Sequence, residues 1–363
     1  MGSSHQVIVK GMKKNIWLME GLSSQRDIIL GIKSFSKKNQ TDIAIFASHR
    51  HERNEILSVA DRALIEPQDA EERLAFILST VAQWGIDAIH TGRNCGWFEA
   101  HRAQIEASGA SLTTGSSDPA HFALADDKVS FAELMAKNGL PVVPSVRIND
   151  IETLQARIEN PPFASEPLCI KPVTGIYGMG FWRFDDSVSP MAVFNHPEQR
   201  RVHPQHYLTA LAGAETFTPL VLMPWLPGPE YSVDILAENG KVLAAVGRRK
   251  EGALQYLVNE GEAFSLACAC AELMQADGLV NVQTRNDSSG KPLLLEINMR
   301  PSGGIGYTLH SGVNLPGMFA ARRLDQLQAE EVTAMAKSDF QPAIVRSITD
   351  VINYSPTLTN RLN

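Results

Sequence analysis

Glu296 and Asn298 stand two residues apart in LLLEINMRPSGGIG, at the end of an apolar run. A strand points alternate side chains to one side, so these two oxygen-bearing groups share a face. Magnesium takes hard oxygen ligands and usually combines one or two protein groups with phosphate oxygens, which makes the pair a candidate metal site. Arg300 continues the alternation and adds a fixed cation to that face. The same spacing also describes an ordinary strand end before a glycine-rich turn. Gln283, in LVNVQTRND one hairpin earlier, offers a neutral amide oxygen. A Gln, Glu and Asn set carries a single formal negative charge, which suits a site completed by phosphates better than a protein-only cage.

KPVTGIYGMG, from Lys171 to Gly180, places a lysine on a strand end just before Gly175, Gly178 and Gly180. Glycines let backbone amides approach phosphate oxygens while the lysine supplies a point charge. The order excludes a Walker A loop and a dinucleotide fingerprint, because Lys171 precedes the glycines and strand residues Phe181 to Phe184 follow them. A plain glycine-rich hairpin turn is the other reading. Lys128, behind Asp126 and Asp127 near the start of the linking helix, reads by itself as a solvated lysine. In VLMPWLPGPEYSVDIL, the stretch Met223 to Leu226 can sandwich a flat base, and Glu230 can accept from ribose hydroxyls or simply start an exposed strand. There is no HExxH, no GxSxG and no zinc-type Cys/His cluster, and the histidines are scattered.

These groups need a large scaffold to hold them. The 363 residues allow two or three compact units, and 44% hydrophobic with 20% charged residues is a globular composition. No apolar run is long enough for a membrane span. A net charge of -7 argues against nucleic acid as a partner, since phosphate neutralisation needs a clustered basic surface. Cys95, Cys169, Cys268 and Cys270 lack CxxC spacing and read as small core residues in a reducing cytoplasm. The opening MGSSHQVIVKG reads as a tag remnant, so residues 1–11 are left out of the fold and Met12 is the expected native start.

From Asn15 the chain alternates strand-like runs (NIWLME, TDIAIFAS, ADRALIE, IDAIHTG, ASLTTG) with helical patterns, predicting a parallel sheet flanked by helices that closes near Ser117. Ligands of open α/β sheets sit beyond strand carboxyl ends, so the loops Glu20 to Arg26, Ser48 to Arg53 and Thr91 to Gly96 are either ligand contacts or plain surface loops. A linking helix ending at Gly139 follows. LCIKPV, GFWRF, PLVLMPWL, EYSVDIL and KVLAAVGRR then predict antiparallel strands, before a helix from Glu262 to Ala276, two more strands and a helical tail from Leu315.

In this order the elements resemble the ATP-grasp superfamily over roughly Asp118 to Leu327. The resemblance implies an α/β (α+β) fold: an N-terminal pre-ATP-grasp, Rossmann-like domain over 12–117, then a two-lobed ATP-grasp domain over 118–327. Its flexible lid lobe would cover about 128–220 and its metal lobe about 221–327, with 328–363 as a tail packing on the core. It implies ATP and Mg2+ as cofactors, with Mn2+ as a substitute. Lys128, Lys171, Gly175, Gly178, Gly180, Met223, Trp225, Leu226 and Glu230 would bind nucleotide, and Gln283, Glu296 and Asn298 the metal. Arg300 and Lys171 would be catalytic, and Arg248, Lys250, Ser302, Gly303 and Gly304 would meet substrate. VNVQTR followed by LLEINMRPSGG resembles the carbamoyl-phosphate-synthetase-like branch, and the overall pattern is similar to ATP-grasp proteins associated with tellurium-resistance operons. One departure stands out: Met223 and Pro224 occupy the hinge start where an acidic residue is common. Proline has no N–H, so a backbone donor to the base must come from Trp225 or Leu226.

The chemistry implied is ATP-dependent joining of a small-molecule carboxylate to an amine or related nucleophile, through an acylphosphate, with release of ADP and phosphate. Such phosphoryl transfer relies on positioning and charge stabilisation, in keeping with the missing catalytic triad. The alternatives are a carboxylase or small-molecule kinase on the same scaffold, or a non-catalytic ATP-binding regulatory module. The expected protein is a stand-alone cytoplasmic ligase, compatible with a homodimer, without membrane or nucleic-acid partners.

Overall fold

The computed structural model describes residues 13–21, 24–116, 118–163, 167–175 and 178–354. The tag-remnant reading, the boundary at Ser117 and two residues of the glycine loop, Ile176 and Tyr177, lie outside them. The chain divides into two compact units: 1–122, 231–282 and 297–363 form one, and 123–230 with 283–296 the other.

The first unit opens with β1 (Lys14–Leu18), β2 (Ile43–His49), β3 (Arg62–Ile65), β4 (Ala88–His90) and β5 (Ser111–Thr113). They form one sheet in the order β3-β2-β1-β4-β5, and every pairing in it is parallel, as the alternation of apolar runs and helical patterns predicts. Buried on both faces, β2 reads as a continuous apolar run, the pattern of a parallel strand covered on both sides. Trp17 is fully buried, and its indole N–H donates to Ser48 Oγ at 2.8 Å.

The second unit is built on β6 (Val146–Ile148), β7 (Leu168–Pro172), β8 (Trp182–Phe184), β9 (Arg201–Val202) and β10 (Leu220–Pro224), in the order β6-β10-β7-β8-β9. β10 runs antiparallel to β6 and β7, and β7 to β8, as expected. The pairing of β8 with β9 is parallel, which the antiparallel expectation missed. The cause is the long connection through the helix Ala192–Asn195, which returns the chain to the edge in the same direction. The two-residue period divides the sheet's side chains. Leu168, Ile170, Leu220 and Leu222 pack with Leu154 and Leu208 in one core cluster, while Cys169, Val221 and Met223 join Val129 and Leu226 in another.

The remaining strands are β11 (Glu230–Glu238), β12 (Lys241–Glu251), β13 (Leu254–Val258), β14 (Gly278–Asn286), β15 (Pro292–Asn298) and β16 (Ala343–Val345), ordered β15-β14-β11-β12-β13-β16. The helix begun at Glu262 ends at Leu273, one turn short of the expected Ala276. The region after Leu315 contains the helices Leu315–Arg323 and Ala329–Asp339 but is not helical throughout. Ala343–Val345 forms β16, antiparallel to β13. Three residues with an exposed central Ile344 carry too little periodicity to announce a strand, so its pairing comes from β13. Among the described residues no helix is long and apolar enough to cross a membrane. All four cysteines are free, with Cys169 and Cys270 buried.

Candidate active site

Lys171 lies on β7 two residues beyond Cys169, so it shares the face of the second cluster. The register places Lys171 opposite Val221 on β10, and Val221 opposite Arg147 on β6. Arg147 therefore stands in the same cross-strand row. Its Nη2 reaches both carboxylate oxygens of Asp127 at 2.7 Å. Asp127 caps the helix Lys128–Lys137 by accepting from the backbone N–H groups of Val129 and Ser130. Burial tends to raise the Asp127 pKa, yet these hydrogen bonds and the Arg147 charge hold it below the usual carboxylate value. That cap fixes Lys128 as the first helical residue.

Lys128 is 8% exposed. Its Nζ donates to the carbonyls of Val173 at 3.3 Å and Gly175 at 3.2 Å, where the glycine loop begins. Burial lowers its pKa; the Glu296 carboxylate opposes that fall and the Lys171 charge adds to it. Lys171 Nζ itself lies 3.6 Å from Glu296 Oε2. Two lysines and one carboxylate thus converge inside the second unit, at the base of the loop. The loop conformation demands glycine where Gly180 has φ 73°, and a Cβ there would sit 2.8 Å from Pro172 Cδ.

The hinge segment after β10 is fastened by an arginine that sequence reasoning missed. Arg285 donates from Nε to the Leu226 carbonyl at 2.6 Å, and its Nη1 lies 3.4 Å from Glu230 Oε2. Arg285 is two residues beyond Gln283 on β14, so the same-face spacing that selected Gln283 also carried this signal. A second arginine, Arg183, lies over the Trp225 ring at 3.8 Å. Met223, Leu226 and Trp225 belong to the apolar cluster with Leu293 and Leu295 of β15. The Trp225 N–H is engaged with the Pro167 carbonyl at 2.5 Å.

The alternation expected around the metal candidates is present. Gln283, Glu296, Asn298 and Arg300 are half-buried while Val282, Thr284, Ile297 and Met299 are buried. Gln283 and Glu296 belong to the second unit, and Asn298 and Arg300 to the first. Among the described residues no three His, Cys, Asp or Glu side chains are grouped to hold a metal by themselves.

Within the first unit, Arg248 is enclosed rather than solvated. It is 4% exposed, and Asp234, 0% exposed, accepts from its Nε at 2.8 Å. Gln255, Ser232 and Ser302 accept from its terminal nitrogens. The space beside Gly304 is filled by this guanidinium, since a Cβ there would lie 2.4 Å from Arg248 Nη1. Lys250, on the same strand, is half-buried, Ser302 is buried and Gly303 exposed.

Comparison with known proteins bears on the fold. The sequence profile of a family described as ATP-grasp in the biosynthetic pathway with Ter operon matches residues 216–350. An N5-carboxyaminoimidazole ribonucleotide synthetase in complex with ADP superposes with TM-score 0.63 at 17% identity, covering 91% of this chain and 80% of that one. The fold is that of the ATP-grasp superfamily. An L-amino acid ligase from Bacillus licheniformis has the same ATP-grasp architecture, with TM-score 0.58, 16% identity and coverage of 92% and 78%. So has the biotin carboxylase domain of a Hydrogenobacter thermophilus 2-oxoglutarate carboxylase, crystallised with MgADP and bicarbonate, at TM-score 0.57, 18% identity and coverage of 86% and 70%. No curated protein matches this chain by sequence.

Proposed function

We propose that the chain is an ATP-dependent ligase that phosphorylates a small-molecule carboxylate to an acylphosphate and transfers the acyl group to an amine, releasing ADP and phosphate. The observation that carries this reading is the convergence of Lys128 and Lys171 on Glu296 at the start of the glycine loop. Two lysine ammonium groups held at the base of a glycine loop can bind a polyanionic phosphate.

Lys128 and Lys171 bind phosphate oxygens, and Gly175, Gly178 and Gly180 let the loop backbone approach them. Met223, Trp225 and Leu226 flank the base. Because the Trp225 N–H is taken by Pro167, the hinge donor narrows to Leu226. Glu230, steadied by Arg285, accepts from the ribose. The donor chemistry of Gln283, Glu296 and Asn298 fits magnesium: hard oxygens, one formal charge and side chains away from the buried positions of their strands. Bound there, magnesium would offset the charge of the phosphates. Arg300, two residues beyond Asn298 and past the end of β15, faces the charge that develops on the transferred group.

The test is ADP release with paired acids and amines. A ligase requires both; release with bicarbonate alone indicates a carboxylase, and release with a lone hydroxyl acceptor a kinase. Glu296→Ala and Asn298→Ala are expected to keep the fold and lose about 10²- to 10³-fold in magnesium-dependent rate. Turnover like that of the wild type in either variant would remove the metal assignment.

A further inference from the structure

The sheet order β3-β2-β1-β4-β5 reverses its winding at β1 and β4, and ligands of such sheets sit at that switch, beyond the strand carboxyl ends. A narrow cleft lies there within the first unit, lined by Leu18, Met19, Gln25, His90, Gly92 and Arg300, among others. Its rim is held rigidly. Gln25 donates to the carbonyls of Leu18 and Ser48, each at 3.1 Å, and accepts from the Gly21 N–H at 3.2 Å, joining the carboxyl ends of β1 and β2.

Glu20, in the loop after β1, is 3% exposed and organises two arginines. Arg50, after β2, donates to it from Nε at 2.6 Å and Nη2 at 3.1 Å. Arg93, after β4, donates from Nη1 at 2.8 Å. Burial opposes the Glu20 charge, but the Arg50 bonds and the charges of His49, Arg50 and Arg93 keep it ionised. Glu66 accepts from the Glu20 backbone N–H at 2.7 Å and from Ser48 Oγ at 2.6 Å, tying Glu20 to β2. The Arg50 and Arg93 side chains are 24% and 38% exposed, and each guanidinium has five N–H groups, more than Glu20 and the nearby Glu66 occupy. Among the described residues, no side chain besides Glu20 accepts from the Arg93 guanidinium.

We propose that Arg50 and Arg93 bind the distal anionic group of the acid substrate, making this a ligase for small acids that carry a second carboxylate or a phosphate-type group besides the reacting carboxyl. Arginine forks bind either anion through paired N–H bonds. That the bound acid is a substrate rests on the ligase reading; that the site selects dianions does not.

Equilibrium binding to the full chain with MgADP separates the two. The probes are succinate, glutarate and 3-phosphonopropionate, compared with glutaramate, which matches glutarate in shape but has one charge fewer. At least one dianion is expected to bind about tenfold or more tighter than glutaramate, one charge-assisted contact being worth about 1.5–3 kcal/mol. Preference for the dicarboxylate or for the phosphonate identifies which anion is read. Arg93→Gln is expected to remove the contrast, and Arg93→Lys, which keeps Glu20 compensated, to reduce it if the first variant does not fold. No dianion binding more tightly than glutaramate, or a contrast undiminished in the folded variant, overturns the proposal. ADP release measured on the same preparations judges the ligase reading separately.

Discussion

Arg248 Nε lies 2.8 Å from Asp234 Oδ2, with the two side chains 4% and 0% exposed. Asp234 Oδ1 also accepts from Ser302 Oγ at 2.6 Å and from Asn281 Nδ2 at 3.0 Å. A charge so enclosed tolerates removal of neither partner, because the survivor stays buried without compensation.

Arg248→Met is therefore expected to destabilise the first unit by about 3–5 kcal/mol. Asp234→Leu should cost a similar amount, while the double variant costs less than the two together, since no bare charge is left. Denaturant unfolding of the four proteins measures the cycle. Additive losses would mean that the two residues act independently.

Acid stability follows from two buried groups. Burial, assisted by the Arg323 charge, lowers the His90 pKa from 6.5 to about 4, and the imidazole packs edge-on against Phe319 at 5.2 Å. Between those values the unfolded chain binds a proton that the folded chain refuses, so stability falls as pH drops through this window. The full effect is about 3 kcal/mol. Glu20, held at about 2 against an ordinary 4.5, adds a further loss as pH falls through the lower window. Asp27 and Glu66, both raised by burial, work in the opposite direction. The stability difference between wild type and His90→Gln isolates the histidine and is expected to change by about 3 kcal/mol between pH 7 and pH 4. A difference independent of pH would show that His90 does not titrate in this range.

Much of this organisation was legible in the sequence, because local periodicity encodes it. The strand-helix alternation predicts β1 to β5, and the KPVTGIYGMG pattern predicts the hairpin that joins β7 to β8. The two-residue spacing of Glu296, Asn298 and Arg300 likewise predicts their half-buried positions, with Ile297 and Met299 buried between them. The rest depends on pairing between distant segments. Nothing near Arg248 announces Asp234, fourteen residues earlier, as its partner, since sheet burial brings them together. Glu20, Arg50 and Arg93 come from three separate loops, and only the parallel order gathers them. Arg285 was the exception: its spacing from Gln283 was visible, but a search for oxygen donors passes over an arginine.

Lys171→Met keeps the length of the stem and removes the charge. Loss of one charge-assisted phosphate contact, worth about 1.5–3 kcal/mol, is expected to weaken ATP binding by about 10- to 100-fold. Calorimetric titration with ATP and with adenosine separates this contact from the base site, since adenosine affinity should not move. Equal ATP affinity in wild type and variant would remove the phosphate role of Lys171.

Gly180 tests the loop itself. Its φ of 73° is left-handed, and a Cβ would press on Pro172 Cδ and Cγ at 2.8 and 3.0 Å. Gly180→Ala therefore penalises the described loop conformation twice, through the backbone and through a clash with a ring that cannot swing away. The backbone part alone is worth about 1–2 kcal/mol. Because Gly180 lies at the loop's far end, next to β8, the substitution leaves Lys128 and Lys171 in place and changes only how often the loop adopts this form. Binding to a state populated less often is weakened by the same factor, so ATP affinity should drop about 5- to 30-fold. A fluorescent ATP analogue reads the affinity, and limited proteolysis of the nucleotide-free protein should cut the variant faster within Gly175–Phe181. Faster cleavage with unchanged affinity would mean that the loop does not close on the phosphates.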